Sequence, residues 1–245
     1  MTQPIRLADY TPPSHLIDRT DLTFRLSPTA TRVLARIIFR PNPAVPAGGD
    51  LWLDGEGLTL ISAAIDGQPV SVAPGDAGLL LPADMLPGGP FLWEAEVEIN
   101  PRANTALDGL YISNGMYCTQ CEAEGFRKIT FYPDRPDIMA PFRVRIESDL
   151  PVLLSNGNPV ASGKDWAEWE DPHPKPAYLF ALVAGDLVAT RGNFTTRSGK
   201  DVGLAVWVRA GDEEKTGHAL HALKQSVAWD ERVYGREYDL EVFNI

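Results

Sequence analysis

Apolar and polar residues alternate along most of this chain in short runs with a period of two, the pattern of strands buried on one face. Phe91, Trp93, Ala95, Val97 and Ile99 are separated by Glu94, Glu96 and Glu98, which predicts a strand over 91–99 with one face in a core and the other in water. Leu22, Phe24 and Leu26 alternate with Thr23 and Arg25, and the segment Thr31 to Arg40 places Val33, Ala35, Ile37 and Phe39 on one face. The intervening Ser27-Pro28-Thr29-Ala30 reads as a turn, so these two runs form a hairpin. Asp66-Gly67, between the apolar runs 58–65 and 70–72, is a second hairpin turn. Further strands are expected at 128–132, 142–147, 152–155, 166–170, 178–184, 187–194 and 202–208. Short strands punctuated by Gly, Pro, Asn and Asp, with no helix among them, predict a mostly β fold of antiparallel sheets packed face to face or partly rolled.

The period then changes. Asp212-Glu213-Glu214 puts acids where a helix N-terminus favours them, Leu220, Leu223 and Val227 follow at helical spacing, and Gly235 stands where helices commonly stop. A helix over about 212–234 is expected, with a domain boundary between Thr195 and Gly211. Residues 238–245 read as a strand in which the sequence ends on Phe243-Asn244-Ile245, so the polypeptide is expected to be part of a longer protein.

Composition narrows the class. At 245 residues, 44% hydrophobic and 22% charged, the chain is long enough to bury a sizeable core. A net charge of −11 argues against a nucleic acid or an anionic membrane as partner and favours cationic ligand groups. No run approaches about 18 consecutive apolar residues, so no membrane span is expected. The leader MTQPIRLADYTPPSH lacks the apolar centre of a secretory signal, which places the chain in the cytoplasm, where its two cysteines stay reduced.

One stretch, Gly109 to Arg143, follows neither period. It collects Cys118-x-x-Cys121, Glu122, Glu124, three prolines, three tyrosines and four basic residues. A long connection rich in aromatics is more consistent with an ordered, functional surface than with disorder. The two cysteines have no second Cys or His pair to complete a zinc knuckle, and the acids beside them do not activate a thiol. Without further information, Glu122 and Glu124 read as a solvated acidic loop. Arg127, Arg135 and Arg143 are expected to pair with nearby acids. His218 and His221 fall one helical turn apart without the intervening glutamate of a metallopeptidase helix, and are expected on a solvated or half-buried face. Trp166 and Trp169 suit buried sheet aromatics better than a sugar platform, and Pro172, Pro174 and Pro176 suit a stiff connector.

The run CTQCEAEGFRKITFYPDRPDIMAPFRVRI resembles the N-terminal domain of the bacterial aminopeptidase N family of zinc metallopeptidases. The likeness continues through ANTALDGLY (103–111), LLSNGNPVASG (153–163), DPHPKPAYLFALVAGD (171–186) and FTTRSGKDV (194–202). It implies an N-terminal antiparallel β-sandwich or saddle-like domain over 1–194, followed over 195–245 by the opening strands and helix of a thermolysin-like catalytic domain. By that likeness Glu122 binds the α-ammonium of a peptide substrate and Gln120 lines the pocket for its first side chain. The chemistry is sound in its own terms, because a fixed carboxylate gives a charged amine a hydrogen bond that an internal amide cannot match. The implied partners are peptides with a free N-terminus and the rest of the chain's own catalytic domain. The implied cofactor is zinc, held outside this stretch: neither a Gly-Ala-Met-Glu-Asn strand nor a His-Glu-x-x-His helix is present, and no residue here is assigned to catalysis or to a metal. These residues alone are therefore expected to be inert toward peptides. The alternative is a free-standing β-sandwich module that binds carbohydrate or a protein partner.

Overall fold

A computed structural model describes residues 6–245, so the reading of the leader falls partly outside the described residues. The first half of the chain forms β1 (His15–Arg25), β2 (Thr31–Pro41), β3 (Leu51–Asp54), β4 (Thr59–Ile65), β5 (Gln68–Pro69), β6 (Gly78–Leu81), β7 (Phe91–Ile99), β8 (Gly109–Ser113) and β9 (Met116–Gln120). The second half adds β10 (Met139–Glu147), β11 (Val152–Ser155), β12 (Asn158–Gly163), β13 (Trp166–Pro176), β14 (Leu182–Gly185), β15 (Val188–Thr195), β16 (Asp201–Val208), α1 (Gly217–Val233) and β17 (Val242–Asn244).

The backbone of the fold is an eight-stranded sheet in the order β12-β13-β10-β1-β2-β7-β4-β5. Its inner face carries the residues that the alternation singled out, among them Phe24, Val33, Ile37, Phe39, Trp93 and Val97, all fully buried. The outer face is a cross-strand charge ladder. Arg32 bonds Glu96 at 3.0 Å and Glu98 at 2.9 Å, Arg36 pairs with Glu94, and Arg143 and Arg145 reach Glu168 at 2.7 and 3.0 Å. Opposite charges facing each other across strands keep that face solvated and help hold the register. The inner face is covered by a four-stranded sheet, β11-β14-β9-β8, and by the ribbon β3-β6, all sharing one hydrophobic cluster with it.

A smaller unit follows. β15, β16 and β17 form a separate sheet on which α1 lays Leu223 and Val227 against Val202 and Leu204. The helix begins later than the acids suggest, because Glu213–Lys215 form a 3-10 turn ahead of it, and it stops where expected, with Gly235 at φ +65°. The C-terminal strand is shorter than the sequence suggests, spanning Val242–Asn244.

The mostly β class is as expected, but two strand pairs are parallel: β1 with β10 and β16 with β17. A period of two marks which face is buried and is the same in either direction, so pairing sense is invisible to it. Residues 128–132 are not a strand. Phe126–Lys128 form a 3-10 turn, and Ile129, Thr130, Phe131 and Tyr132 are all buried without alternation, as an irregular plug joined to β3 by one bridge between Tyr132 and Asp54. Ala177–Leu179 likewise form a 3-10 turn, so the strand there starts only at Leu182. The prolines at 172, 174 and 176 lie within β13, past the last residue that β12 pairs. There one edge is free and a missing N–H costs nothing.

Candidate functional site

The aperiodic stretch begins as a hairpin, β8 and β9, turned by Asn114 and Gly115 with φ of +49° and +82°. Positive φ at both central residues is the type I′ requirement, and Asn-Gly is its strongest sequence signal, so a regular hairpin opens a stretch whose composition shows no strand period. The end of β9 is fixed by the Thr119 hydroxyl, which accepts from Leu182 N at 2.8 Å and donates to Leu182 O at 3.3 Å on β14.

From there the chain turns between two buried anchors. Cys121 is buried on one side, and Phe126 is fully buried on the other. Phe126 meets Tyr132, Phe180 and Phe142 edge-on, with ring centroids 4.9, 5.3 and 6.0 Å away. Gly125 N donates to Cys121 O at 2.9 Å and closes the turn. No side chain fits at Gly125, where a Cβ would stand 2.2 Å from Asp108 Oδ1 and 2.5 Å from the Gln120 carbonyl. Glu122, Ala123 and Glu124 are thereby lifted into solvent on a braced support, and the Glu122–Ala123 peptide is cis.

Gln120 and Glu122 are brought together: both are exposed, and Gln120 Nε2 donates to Glu122 O at 3.2 Å. The two glutamates differ in their partners. Glu124 Oε2 lies 3.3 Å from Arg127 Nη1, whereas among the described residues the Glu122 carboxylate meets no cation. Arg127, Arg135 and Arg143 each pair with an acid, at Asp134, Asp137 and Glu168.

The other candidates are placed as follows. Cys118 and Cys121 are free thiols, and burial raises the pKa of both. The thiolate is the reactive form, so Cys121 is expected to resist iodoacetamide at pH 8. Intact mass should show at most one adduct on the native chain and two after denaturation; rapid labelling of Cys121 in the native state would contradict its burial. His218 and His221 are both exposed on α1. His15 is buried beside Phe91, which lowers its pKa, and His173 Nε2 lies 3.4 Å from Asp239. Among the described residues no three His, Cys, Asp or Glu side chains converge on a point that could hold a metal. Trp169 is buried with Nε1 donating to Leu153 O, and Arg145 sits 4.1 Å over one face of the half-buried Trp166 ring.

Comparison with known proteins decides the family. Residues 93–179 match the Peptidase M1 N-terminal domain. Through this domain the chain belongs to the peptidase M1 family. It is 49% identical to aminopeptidase N of Caulobacter vibrioides over 99% of its own length, and 45% identical to aminopeptidase N of Escherichia coli over 97%. The chain spans 29% and 28% of the lengths of those two relatives. Its fold matches the crystal structure of Legionella pneumophila aminopeptidase A in complex with aspartic acid, with a TM-score of 0.89 and 32% identity over 98% of this chain and 29% of that one. The matched stretch thus runs from within β7 through β13 and contains the whole Gln120–Arg127 loop.

Proposed function

We propose that this chain supplies the amine-recognition loop of a larger zinc-dependent aminopeptidase that removes residues from peptide N-termini. The observation that carries the reading is the Glu122 carboxylate, exposed and without a cation, on a loop anchored by Cys121 and Phe126 with Gln120 beside it. A free α-amine has a pKa of about 7.7–8.0, so near neutral pH it arrives largely as the ammonium. A carboxylate on a fixed support can give it a short, charge-assisted hydrogen bond. An internal amide carries no such charge, so Glu122 would set the distance from the chain end at which a peptide is cut. Gln120 would face the first side chain.

Zinc does not fit the residues present, because the described residues hold no cluster of ligands for it. In this reading the metal and the reacting groups belong to the remaining length that the relatives have, and this chain binds and orients the substrate end. We place the division between the two units at the β14–β15 connection, residues 186–187, rather than at the 194/195 boundary expected from the sequence, which falls inside β15, because β15 pairs only within the second sheet. A cytoplasmic location is part of the same reading and rests on the two free thiols.

The test uses the full-length protein and the 245-residue chain side by side. The full-length protein should hold one zinc by elemental analysis and release the label from a free aminoacyl anilide but not from its N-acetylated form, while the shorter chain should do neither. A zinc-free, inactive full-length protein, or turnover by the 245-residue chain alone, would overturn it.

A further inference from the structure

We propose that Arg127, locked in place by Asp134, is a positioning residue that sets the Glu122 carboxylate for its amine and removes Glu124 from competition for it. This rests on the amine-recognition reading above and concerns residues that would not touch the substrate.

Arg127 ties three segments together. Its backbone N–H and its Nε–H both donate to Asp134 Oδ2 at 3.1 Å, and Nη2 donates to the Asp134 carbonyl at 3.3 Å. Its own carbonyl accepts from Glu56 N at 3.0 Å, which fastens it to the turn after β3. Asp134 is fixed in turn, because its N–H donates to Asp54 Oδ2 at 3.0 Å and Asp54 exchanges both backbone hydrogen bonds with Tyr132 at 2.8 and 3.1 Å. The loop that carries Glu122 is therefore referenced at residue 127 to a strand of the core, by the guanidinium and by both backbone groups of that residue.

Burial shows what this pair is for. The Asp134 side chain is 2% exposed and that of Arg127 16%. Taking two charges out of water costs about as much as their attraction returns, so an ion pair this deep is a poor device for stability alone. Its distinctive property is direction: a planar guanidinium satisfies fixed partners at fixed angles, which an apolar pair of the same volume cannot do. The remaining arm, Nη1, reaches Glu124 at 3.3 Å. That contact gives Glu124 a cationic partner and leaves Glu122 as the open carboxylate of the loop, so an incoming ammonium meets its unpartnered anion in one place.

The experiment is steady-state kinetics of the full-length enzyme with Arg127→Met, Arg127→Lys and Asp134→Asn, with Glu122→Gln as reference. Each variant is assayed with a free aminoacyl anilide and with a competitive inhibitor that lacks the α-amine. Arg127→Met should raise KM for the free amine about 10-fold with kcat within about 2-fold, and leave the affinity for the amine-free inhibitor unchanged. Arg127→Lys keeps the charge near Glu124 without the fork and should give an intermediate KM, so it serves if Arg127→Met fails to fold. Adding Arg127→Met to Glu122→Gln should have no further effect on amine discrimination, since the two act on one contact. If Glu122→Gln loses discrimination while the Arg127 and Asp134 variants keep it, the positioning role is wrong and the recognition reading survives. If Glu122→Gln also keeps it, both fall. An equal loss toward the amine-free inhibitor would assign Arg127 a merely structural role and overturn the proposal.

Discussion

Glu122→Gln in the full-length enzyme is expected to lower kcat/KM toward substrates with a free α-amine by about 10- to 100-fold, almost entirely through KM. A hydrogen bond to a charged partner is worth about 1.5–3 kcal/mol, against about 0.5–1.5 for a neutral one, and each 1.4 kcal/mol is a factor of about ten. Glutamine preserves shape and leaves the Gln120 Nε2 contact untouched, because that bond goes to the backbone oxygen of residue 122. The loss is therefore one of charge. It has a pH signature whose sign follows from the substrate. The protonated amine is the form that Glu122 favours, so KM of the parent enzyme should rise as pH climbs through about 8, and the variant should show a flatter curve. Because Glu122 is exposed, stability should change by no more than about 0.5 kcal/mol, so a thermal melt separates recognition from folding. A variant whose KM for the free amine matched the parent enzyme across pH 6–9 would remove Glu122 from the site.

How much of this was legible in advance differs between the scaffold and the site. The inner face of β2 and β7 could be read residue by residue, because an apolar-charged alternation has one physical meaning at a half-buried sheet. The hairpin at Asp66-Gly67 followed from turn chemistry, and both residues have the positive φ that the turn requires, +50° and +75°. The same chemistry at Asn114-Gly115 was hidden by its surroundings, since the segments beside it are rich in Tyr, Cys and Met without clear alternation. Ile129 to Tyr132 misled for the opposite reason. It has the β-branched and aromatic composition of a strand, yet it is buried on all sides and forms no ladder.

The site itself was legible only in part. Glutamates are almost always exposed, and nothing in composition or spacing separates Glu122 from Glu124. Family likeness drew attention to Glu122, and the structure adds a physical distinction: Glu124 has a cation and Glu122 does not. That Arg127 would pair with an acid was expected, but its main partner, Asp134, is seven residues away in a segment without regular structure. Contacts of that kind depend on how an irregular chain closes on itself, which no periodicity encodes. The buried anchors Cys121 and Phe126 were equally hidden, since both lie outside any strand whose alternation would have marked them as core.

Phe126→Ala is expected to destabilise the 245-residue chain by about 3–5 kcal/mol. The ring is fully buried, and it is the piece that joins the loop to both layers: Phe142 belongs to the eight-stranded sheet, Phe180 to the segment leading into β14, and Tyr132 to the plug. Removing it takes away apolar area and the edge-to-face contacts together, and leaves a void that neighbours on three sides, each fixed by other contacts, cannot close. Against a total stability of about 5–15 kcal/mol for a domain, that is enough to lower the midpoint of a urea transition followed by tryptophan fluorescence by a large fraction. Phe126→Leu refills most of the volume and should cost markedly less. The same void also releases one of the two anchors of residues 122–125. Full-length Phe126→Ala enzyme, assayed where it is still folded, should therefore show weakened discrimination between free and blocked amines, with Phe126→Leu closer to the parent. A cost below about 1 kcal/mol for Phe126→Ala would mean that the recognition loop is not seated on the core by this ring, and the link from packing to site would have to be sought in Cys121 and Gly125 alone.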